Sequence, residues 1–434
     1  MNIIPRDQHC ISRKNISDGA LKVMSRLRSS GYQAYLVGGA VRDLLLGGHP
    51  KDFDIATDAT PEIVTELFRN SRIIGRRFRI VHVRFGREII EVTTFRGHHD
   101  NENNSGDRPN SQDNHSRQSA SGLLLRDNVY GTLAEDAARR DLTVNALYYD
   151  AGKFEVFDHV HGLRDLQNRN VCIIGDPEQR YTEDPVRMLR VVRFAAKLNF
   201  SVEDETAQAI PRCAHLLGEI PAARLFDEFL KLFLSGFAAQ TLEKLLEYDL
   251  LRYLFPDTSA YLMHDKHSLA LVRAAMQNTD ERIAQDKAVT PAFLLAALLW
   301  PVVNERYLLL ESNGEAPMVA MHNAAQSAVI DAVQHISIPR RFSQPMREIW
   351  EFQLRLQHRT GRKAAELIEH RRFRAAYDFL LLREQAGEDT QGLGQWWTEI
   401  QELSPQERLD KAGTSPAKRK RPKRTRTRRP NPAL

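Results

Sequence analysis

Residues 38–54 read GGAVRDLLLGGHPKDFD, a Gly-Gly turn that opens a short amphipathic helix and is followed by two aspartates. Gly38 and Gly39 have no Cβ, so their backbone can approach a bulky anion, and the amides at the start of the helix would point at phosphate. If residues 52–56 form a strand, the Asp52 and Asp54 side chains leave one face and can share a divalent cation. The stretch therefore predicts phosphoryl or nucleotidyl transfer.

The composition indicates a soluble protein of roughly two or three domains. The three cysteines, Cys10, Cys172 and Cys213, lie far apart, which argues against structural zinc and against a disulfide framework. The N-terminus has no apolar signal core. The most apolar run, residues 291–300, is closed by Pro301 and has about half of the roughly 20 residues that a membrane span needs. We therefore expect a buried helix there, no membrane span and a cytoplasmic location.

Positive charge is concentrated at the C-terminus. The net charge of the chain is +5, yet residues 411–434 contain ten Lys or Arg residues and no acid, so the remainder is net acidic. Such a block cannot pack against itself, and we predict a disordered basic tail that binds RNA phosphate without sequence preference. A solubility tail or an incidental polycation is the alternative, and a membrane-surface role is a further one that no adjoining amphipathic helix supports. The basic residues predicted to bind RNA are Lys418, Arg419, Lys420, Arg421, Lys423, Arg424, Arg426, Arg428 and Arg429.

The first part of the chain has the pattern of an α/β domain. Helical periodicity and strand-like alternation follow one another there, with helices predicted at residues 16–30 and 61–68 and strands at residues 34–37, 52–56, 80–85 and 88–95. These segments predict a small mixed sheet flanked by helices. Residues 97–122 are so polar that we expect a mobile loop inserted in this domain.

From about residue 175 onward the pattern is helical. Amphipathic spacing is strongest at residues 183–198, 224–234 and 239–253. We therefore expect an α/β head followed by an all-α neck and body. The predicted boundaries are a head at residues 1–160, a neck at 161–236, a body at 237–410 and the basic tail at 411–434.

Arg139, Arg140 and Asp141 form a second constellation, next to an apolar segment. The planar fork of arginine suits a triphosphate, whose charge must be neutralised. Asp141 is the natural third carboxylate beside the aspartate pair. Glu91, in the strand predicted at residues 88–95, is the rival for that place, and we favour Asp141.

A third constellation opens the helix predicted near residue 183. Asp184 and Arg187 are three residues apart, so they project from one face and offer acceptors and donors to the edge of a base. Pro185 stands where a helix needs no amide. Arg190 and Arg193 continue the face at three-residue steps and either support the site or contact the primer.

Together these motifs resemble a known family. The sequence Gly-Gly-x-Val-Arg-Asp followed by Asp-x-Asp resembles the nucleotidyltransferase superfamily that includes DNA polymerase β, in its class II branch of tRNA nucleotidyltransferases and bacterial poly(A) polymerases. The resemblance runs motif by motif from about Ile4 to Pro256. Three features favour the poly(A) polymerase branch over the CCA-adding branch: the Arg-Arg-Phe-Arg sequence at residues 76–79, the helix at residues 224–236 and the arginine-rich tail.

The resemblance implies a DNA polymerase β-like head and template-independent addition of AMP from ATP to RNA 3′ ends. It implies that Asp52 and Asp54 hold two Mg²⁺ ions, with Mn²⁺ as the other possibility, and that Asp141 assists. Of the remaining motif residues, it implies triphosphate contacts by Gly38, Gly39, Arg42, Arg139 and Arg140, and selection of adenine by Asp184 and Arg187. Two alternatives remain, a CCA-adding enzyme and a non-catalytic RNA-binding protein with a degenerate head.

Overall fold

The computed structural model describes residues 1–75, 79–97 and 129–413, together with the backbone of residues 116–118 and 124–127. The described chain forms two compact units. The first comprises Met1–Ser259, Thr279–Lys287 and Val333–Ser337, and the second comprises Ala260–Asn278, Ala288–Ala332 and the described residues from Ile338 onward.

The first unit contains the β-structure. Its strands are β1 (Asn2–Ile4), β2 (Ala34–Val37), β3 (Asp54–Thr57), β4 (Ser71–Ile74), β5 (Ile80–Phe85), β6 (Glu88–Thr94), β7 (Ser116–Gln118), β8 (Leu124–Asp127), β9 (Leu147–Asp150), β10 (Glu155–Asp158), β11 (Asn170–Val171) and β12 (Ser201–Val202). One mixed sheet has the order β1-β10-β9-β2-β3-β6-β5-β4. Its neighbouring strands are antiparallel except β3 and β6, which are parallel.

Helices lie between the strands, and the described chain after β12 has helices as its only regular secondary structure. They are α1 (Asp18–Ser29), α2 (Gly39–Leu45), α3 (Pro61–Leu67), α4 (Leu133–Arg139), α5 (Gly162–Gln167), α6 (Pro177–Glu183), α7 (Val186–Leu198), α8 (Asp204–Cys213), α9 (Ala222–Phe233), α10 (Ala238–Glu247), α11 (Leu251–Leu254), α12 (Pro256–His264), α13 (Lys266–Ala284), α14 (Pro291–Ser312), α15 (Pro317–His335), α16 (Arg340–Leu356), α17 (Arg362–Leu367), α18 (Phe373–Gln385), α19 (Leu393–Gln401) and α20 (Pro405–Ala412).

Aromatic and β-branched side chains hold the sheet against its helices. Phe95, Tyr148 and Phe157 pack in one buried cluster with residues of β2 and β3, a composition that favours strands. The register places Asp54 opposite Val37 on β2 and opposite Glu91 on β6. The first residue of β3 therefore lies beside the turn that follows β2.

The predicted fold class, a mixed-sheet head followed by helices, is confirmed. The strand predicted at residues 34–37 is β2, and the one predicted at residues 80–85 is β5. The strand predicted at residues 52–56 begins two residues later than expected, at Asp54, so Asp52 precedes it. The shared face of the two aspartates therefore does not follow from strand alternation. Strands β1, β9 and β10 were not predicted, and they complete one side of the sheet.

Helix α14 differs from the prediction at Pro301. We expected Pro301 to end the apolar run, but the helix continues through it to Ser312. A proline inside a helix costs roughly 3 kcal/mol, and the buried residues on both sides of Pro301 show that packing outweighs this cost.

The length of α14 therefore no longer argues against a membrane span. Within the described ranges it is the one helix long and apolar enough to cross a membrane, and 61% of its most apolar window is buried inside the structure. Core helices of soluble proteins have the same length and composition. The absence of a membrane span and the cytoplasmic location stay predictions.

Two segments named in the sequence lie largely outside the described residues. Of the loop predicted at residues 97–122, only Gly97 and the backbone of β7 are described, the latter paired with β8. The basic tail is described only as far as Gly413, so the predicted RNA-binding residues 418–429 stay predictions.

Candidate active site

The turn between β2 and α2 has a conformation that only glycine adopts readily. Gly38 has φ +76° and ψ −136°, outside the regions open to L side chains. A Cβ placed on Gly38 would lie 3.8 Å from Arg140 Nη1 and 3.9 Å from Asp54 Oδ2. Gly38 therefore faces both a guanidinium and a carboxylate, and the anion binding predicted for the turn stays a prediction.

Asp54 is a largely buried carboxylate that has acidic neighbours. Burial, followed by the charges of Glu91 and Asp52, raises the pKa of Asp54 to about 6, although Arg140 acts in the opposite direction. Glu91 reaches this position because β3 and β6 pair in parallel with Asp54 opposite Glu91. The structure thus brings Asp52, Asp54 and Glu91 into electrostatic contact.

Asp141, which we favoured as the third carboxylate, forms an ion pair with Arg190. Arg190 Nη2 lies 2.5 Å from Asp141 Oδ2, and Leu142 N donates to Asp141 Oδ1 at 2.9 Å. Burial would raise the pKa of Asp141, but the ion pair and hydrogen bond with Arg190 outweigh burial and lower it to about 2. The geometry therefore places Glu91, the rival, beside Asp54 and commits Asp141 to Arg190.

Arg140 is clamped by two side chains. Its Nε donates to the Tyr148 hydroxyl at 2.8 Å, and its Nη2 donates to Asp136 Oδ2 at 3.1 Å. The Tyr148 hydroxyl in turn donates to Asp136 Oδ2 at 2.6 Å. With Nε and Nη2 engaged, Nη1 is the nitrogen that faces Gly38. Neither Asp136 nor Tyr148 was predicted from the sequence.

Arg42 and Arg139 point at protein groups. Arg42 is only 1% exposed, forms an ion pair of 2.6 Å with Asp43 and donates to the Asn145 side chain. Arg139 donates to the carbonyl of Gly97. Burial, and then the neighbouring charge of Arg96, lowers the pKa of Arg139 to about 10. The triphosphate contacts predicted for both arginines stay predictions. In this structure the Arg42 guanidinium packs against Gly39 of the turn.

Asp184 and Arg187 flank the start of α7 but have different partners. Asp184 Oδ2 accepts from Arg224 Nη2 of α9 at 2.7 Å. Arg187 Nη1 donates to Glu183 Oε2 at 2.8 Å and to the carbonyl of Arg180 at 2.7 Å. Helix α7 begins at Val186, so Asp184 precedes it as the C-cap of α6. Each member of the predicted base-reading pair is thus fixed by its own ion pair.

Arg180 is a further residue that the sequence reasoning missed. Its Nη2 donates to the carbonyls of Arg139 and Arg140 at 2.7 and 2.6 Å, and its Nη1 contacts Glu183 at 2.8 Å. Arg180 therefore connects the Arg139-Arg140-Asp141 motif with the segment that carries Asp184 and Arg187. The spacing of Arg180, Glu183 and Arg187 by three and four residues was the signal that could have found it.

Comparisons with known proteins identify the family of this chain. Residues 34–172 match the family described as the Poly A polymerase head domain, residues 199–262 match the probable RNA and SrmB-binding site of polymerase A, and residues 313–431 match the polymerase A arginine-rich C-terminus. Poly(A) polymerase I of Salmonella typhimurium is 49% identical over 99% of this chain and 93% of its own length. The chain belongs to the poly(A) polymerase family.

Two further relatives support this membership. Poly(A) polymerase I of Escherichia coli O6:H1 is 48% identical over 99% of this chain and 93% of its own length. A crystal structure of the Bacillus stearothermophilus CCA-adding enzyme in complex with CTP is similar to this chain with a TM-score of 0.59 and 26% identity, covering 89% of this chain and 81% of that one. This poly(A) polymerase family member is therefore an enzyme of the nucleotidyltransferase class.

Enzymes of this class use divalent metal ions, and the carboxylates fit such an ion. Across the described residues, no three acidic, His or Cys side chains stand close enough together to hold a metal unaided. Mg²⁺ needs fewer, because it is usually bound by one or two carboxylates with waters and substrate phosphates. Asp54 is buried beside two other acids, a repulsive arrangement that a bound cation would relieve.

Proposed function

We propose that this protein adds AMP from ATP to RNA 3′ ends without a template, and that Mg²⁺ assists. One observation supports this most directly, the approach of Asp54 and Arg140 to Gly38, with the charges of Glu91 and Asp52 acting on Asp54. A divalent cation bound here would lower the pKa of the primer 3′-hydroxyl and stabilise the leaving pyrophosphate. Each of these side chains has its own proposed role in the reaction.

Asp52 and Asp54 are the proposed metal ligands, and Glu91 is the third carboxylate at this position. Arg140 supplies a fixed positive charge beside the turn, where the triphosphate of ATP would bind. A guanidinium held by Asp136 and Tyr148 needs no reorganisation when the pyrophosphate charge develops, so it stabilises the transition state efficiently. Mn²⁺ is an alternative metal, since it also accepts oxygen ligands.

Asp184 and Arg187 are the proposed readers of adenine. Asp184 Oδ2 is paired with Arg224 and Oδ1 accepts from Val186 N at 3.3 Å, but each carboxylate oxygen has a second lone pair for the edge of a base. The Arg187 Nη1 contacts with Glu183 and the Arg180 carbonyl leave other guanidinium N–H groups for the same edge. Because Arg224 lies on α9 and Glu183 on α6, three helices determine the position of this pair. The helical second unit and the basic tail are the proposed RNA-binding parts.

The first test is a primer-extension gel with purified protein, unstructured RNA, Mg²⁺ and each nucleotide separately. We expect a long ladder with ATP alone. Addition of a few nucleotides that requires CTP first would assign the protein to the CCA-adding branch. No extension with any nucleotide would leave RNA binding as the function.

Asp54→Ala tests the metal assignment in the same assay. We expect nucleotide addition to fall below detection while RNA affinity, measured by fluorescence anisotropy, stays within about twofold of that of the wild type. Full activity of the variant would refute the role of Asp54, and loss of RNA binding would show that the substitution acts on more than the metal.

A further inference from the structure

Helix α7 carries a stripe of basic side chains that continues beyond the base-reading pair. Arg190, Arg193 and Lys197 follow one another at three- and four-residue steps and therefore share one face. We call these three residues the α7 stripe. The other faces of α7 are buried in the core of the unit, whereas each residue of the stripe is partly exposed.

The α7 stripe lies close to the turn formed by Gly38 and Gly39. The guanidinium carbons of Arg42, Arg190 and Arg193 lie 5.1, 5.6 and 4.9 Å from the centroid of one ring, that of Phe194. Arg42 belongs to α2, and its Nη2 would lie 3.4 Å from a Cβ placed on Gly39. Phe194 thus connects the stripe with the turn that faces Asp54.

The positive charges around Phe194 are not all neutralised. Arg42 is paired with Asp43, and Arg190 is paired with Asp141. Arg193 and Lys197 have no ion pair within 4.0 Å among the residues that the structure describes. Two unpaired cations beside two paired ones repel each other, and a bound anion would remove this cost.

The electrostatic surroundings of the two residues agree with this description. Burial, and then the charge of Arg190, lowers the pKa of Arg193, while Glu228 and Asp141 act in the opposite direction. Burial, and then the charge of Arg42, lowers the pKa of Lys197, while Asp43 and Asp52 act in the opposite direction. Lys197 is therefore close enough to Asp52 to share its field, whereas the cation that acts on Asp54 is Arg140.

We propose that Arg193 and Lys197 bind a phosphodiester of the RNA primer near its 3′ end, and so hold the terminal hydroxyl beside Asp52 and Asp54. This inference rests on the proposed function. The incoming nucleotide already has cations at Arg140 and a base site at Asp184 and Arg187. Along a helix that rises 1.5 Å per residue, Lys197 lies about 15 Å from Arg187, so the far end of the stripe suits a second substrate.

The chemistry of the site fits a diester. A guanidinium and an ammonium provide donors for the phosphate oxygens and no group that selects among bases. This suits a primer whose last bases change with every round of addition. The triphosphate of ATP is the other source of the same anion, and the kinetics must tell the two apart.

The test is the double variant Arg193→Gln/Lys197→Gln, assayed with an RNA oligonucleotide and ATP. We expect the KM for RNA to rise roughly 10- to 100-fold, the KM for ATP to change less than about twofold, and kcat at saturating substrates to fall only a few-fold. A rise in the KM for ATP without one for RNA would overturn the proposal in favour of the triphosphate. Unchanged kinetics would overturn it outright.

A charge-matched control separates a local site from a general effect of charge. Lys22 and Arg87 are exposed residues of the same unit. The double variant Lys22→Gln/Arg87→Gln removes two positive charges, as many as the stripe variant does. We expect this control to keep the wild-type KM for RNA, and an equal rise in both double variants would contradict a site on α7. The melting temperature of the stripe variant should not fall by more than a few degrees, since mutual repulsion is removed.

A binding experiment keeps the inference distinguishable from the proposed function. The probes are RNA oligonucleotides in which one phosphodiester after another, counted from the 3′ end, is replaced by a neutral methylphosphonate. Wild-type affinity should fall at one position near the end, and the stripe variant should show no further loss there. Equal losses in both proteins would refute the contact, whether or not the wild type extends RNA.

Discussion

Tyr148 and Tyr149 are neighbours on β9, but their hydroxyl groups have different surroundings. The Tyr148 hydroxyl is hydrogen-bonded to both Arg140 and Asp136. The Tyr149 hydroxyl is buried and has no hydrogen-bond partner in the described structure. Successive side chains of a strand point to opposite faces, so only Tyr148 reaches the candidate active site. Its hydroxyl helps to hold the Arg140 guanidinium in place.

Tyr148→Phe should lower kcat/KM for ATP roughly 10-fold, since a hydrogen bond to a charged group contributes about 1.5–3 kcal/mol and Asp136 still holds Arg140. The KM for RNA should be unchanged. Steady-state kinetics of both substrates measures this, and Tyr149→Phe is the matched control, expected to keep wild-type kinetics. Equal losses in the two variants would show a packing effect instead of positioning.

The ion pair between Asp141 and Arg190 predicts a dependence of stability on pH. The folded-state pKa of Asp141 is about 2, below its ordinary value of about 3.9. Its contribution to the free energy of unfolding is therefore fully present above about pH 4 and is lost as the pH falls toward 2.

Asp141→Asn should lower the free energy of unfolding by about 1–2 kcal/mol above about pH 4, with a difference from the wild type that shrinks toward about pH 2. Urea denaturation at a series of pH values measures this. Asp227→Asn, which changes an exposed acid on α9, is the control. A difference that stays constant across the pH range would contradict the ion pair as its source.

Helix α2 is bounded by two glycines with the same φ but different surroundings. Gly38, before the helix, and Gly47, after it, both have φ +76°. A Cβ on Gly38 would face Arg140 and Asp54, whereas a Cβ on Gly47 would meet nothing within 4 Å. Substitutions at the two ends of α2 can therefore distinguish the strain of a positive φ from an effect on the candidate active site.

Gly38→Ala and Gly47→Ala should each cost roughly 1–3 kcal/mol of stability, because alanine is strained at positive φ. Only Gly38→Ala should lower kcat, by about 10-fold or more, since the strained turn carries the backbone that faces Asp54. Thermal denaturation and primer extension on both variants measure these effects. A Gly47→Ala enzyme as inactive as Gly38→Ala would tie activity to helix stability instead of to the turn.

At the scale of the whole chain, the positive charge of the basic tail is opposite in sign to the net charge of the remainder. The packing of α20 sets where the tail can be removed. Ala412 is 1% exposed, and its carbonyl accepts from Gly361 N at 2.9 Å. A cut after Gly413 therefore preserves the packing of α20 and removes nine basic residues.

Removal of residues 414–434 should weaken RNA binding and flatten its salt dependence. The slope of log K against log salt should become shallower by roughly 0.7 for each RNA phosphate that the tail neutralises in the full-length protein. Single-nucleotide addition at saturating RNA should be retained. Anisotropy titrations over a range of salt concentrations measure this, and a tail with the same composition in scrambled order should restore binding. An unchanged slope would refute the predicted binding of RNA by the tail.

The sequence by itself determined the fold class and most of the local chemistry of this poly(A) polymerase family member. The Gly-Gly turn and strand β2 follow from spacings of a few residues, whereas strand β3 begins at Asp54, two residues later than its pattern predicts. A glycine conformation, a helix cap or a strand pattern depends on local sterics and hydrogen bonding, and these are written in neighbouring residues.

Only the tertiary structure decided which side chains meet. It placed Glu91 beside Asp54, paired Asp141 with Arg190, turned Arg42 inward, and paired Asp184 with Arg224. It also carried α14 through Pro301, because buried packing outweighs a local preference. These partners lie far apart in the chain, and which of them meet depends on strand register and helix packing, which no local spacing encodes.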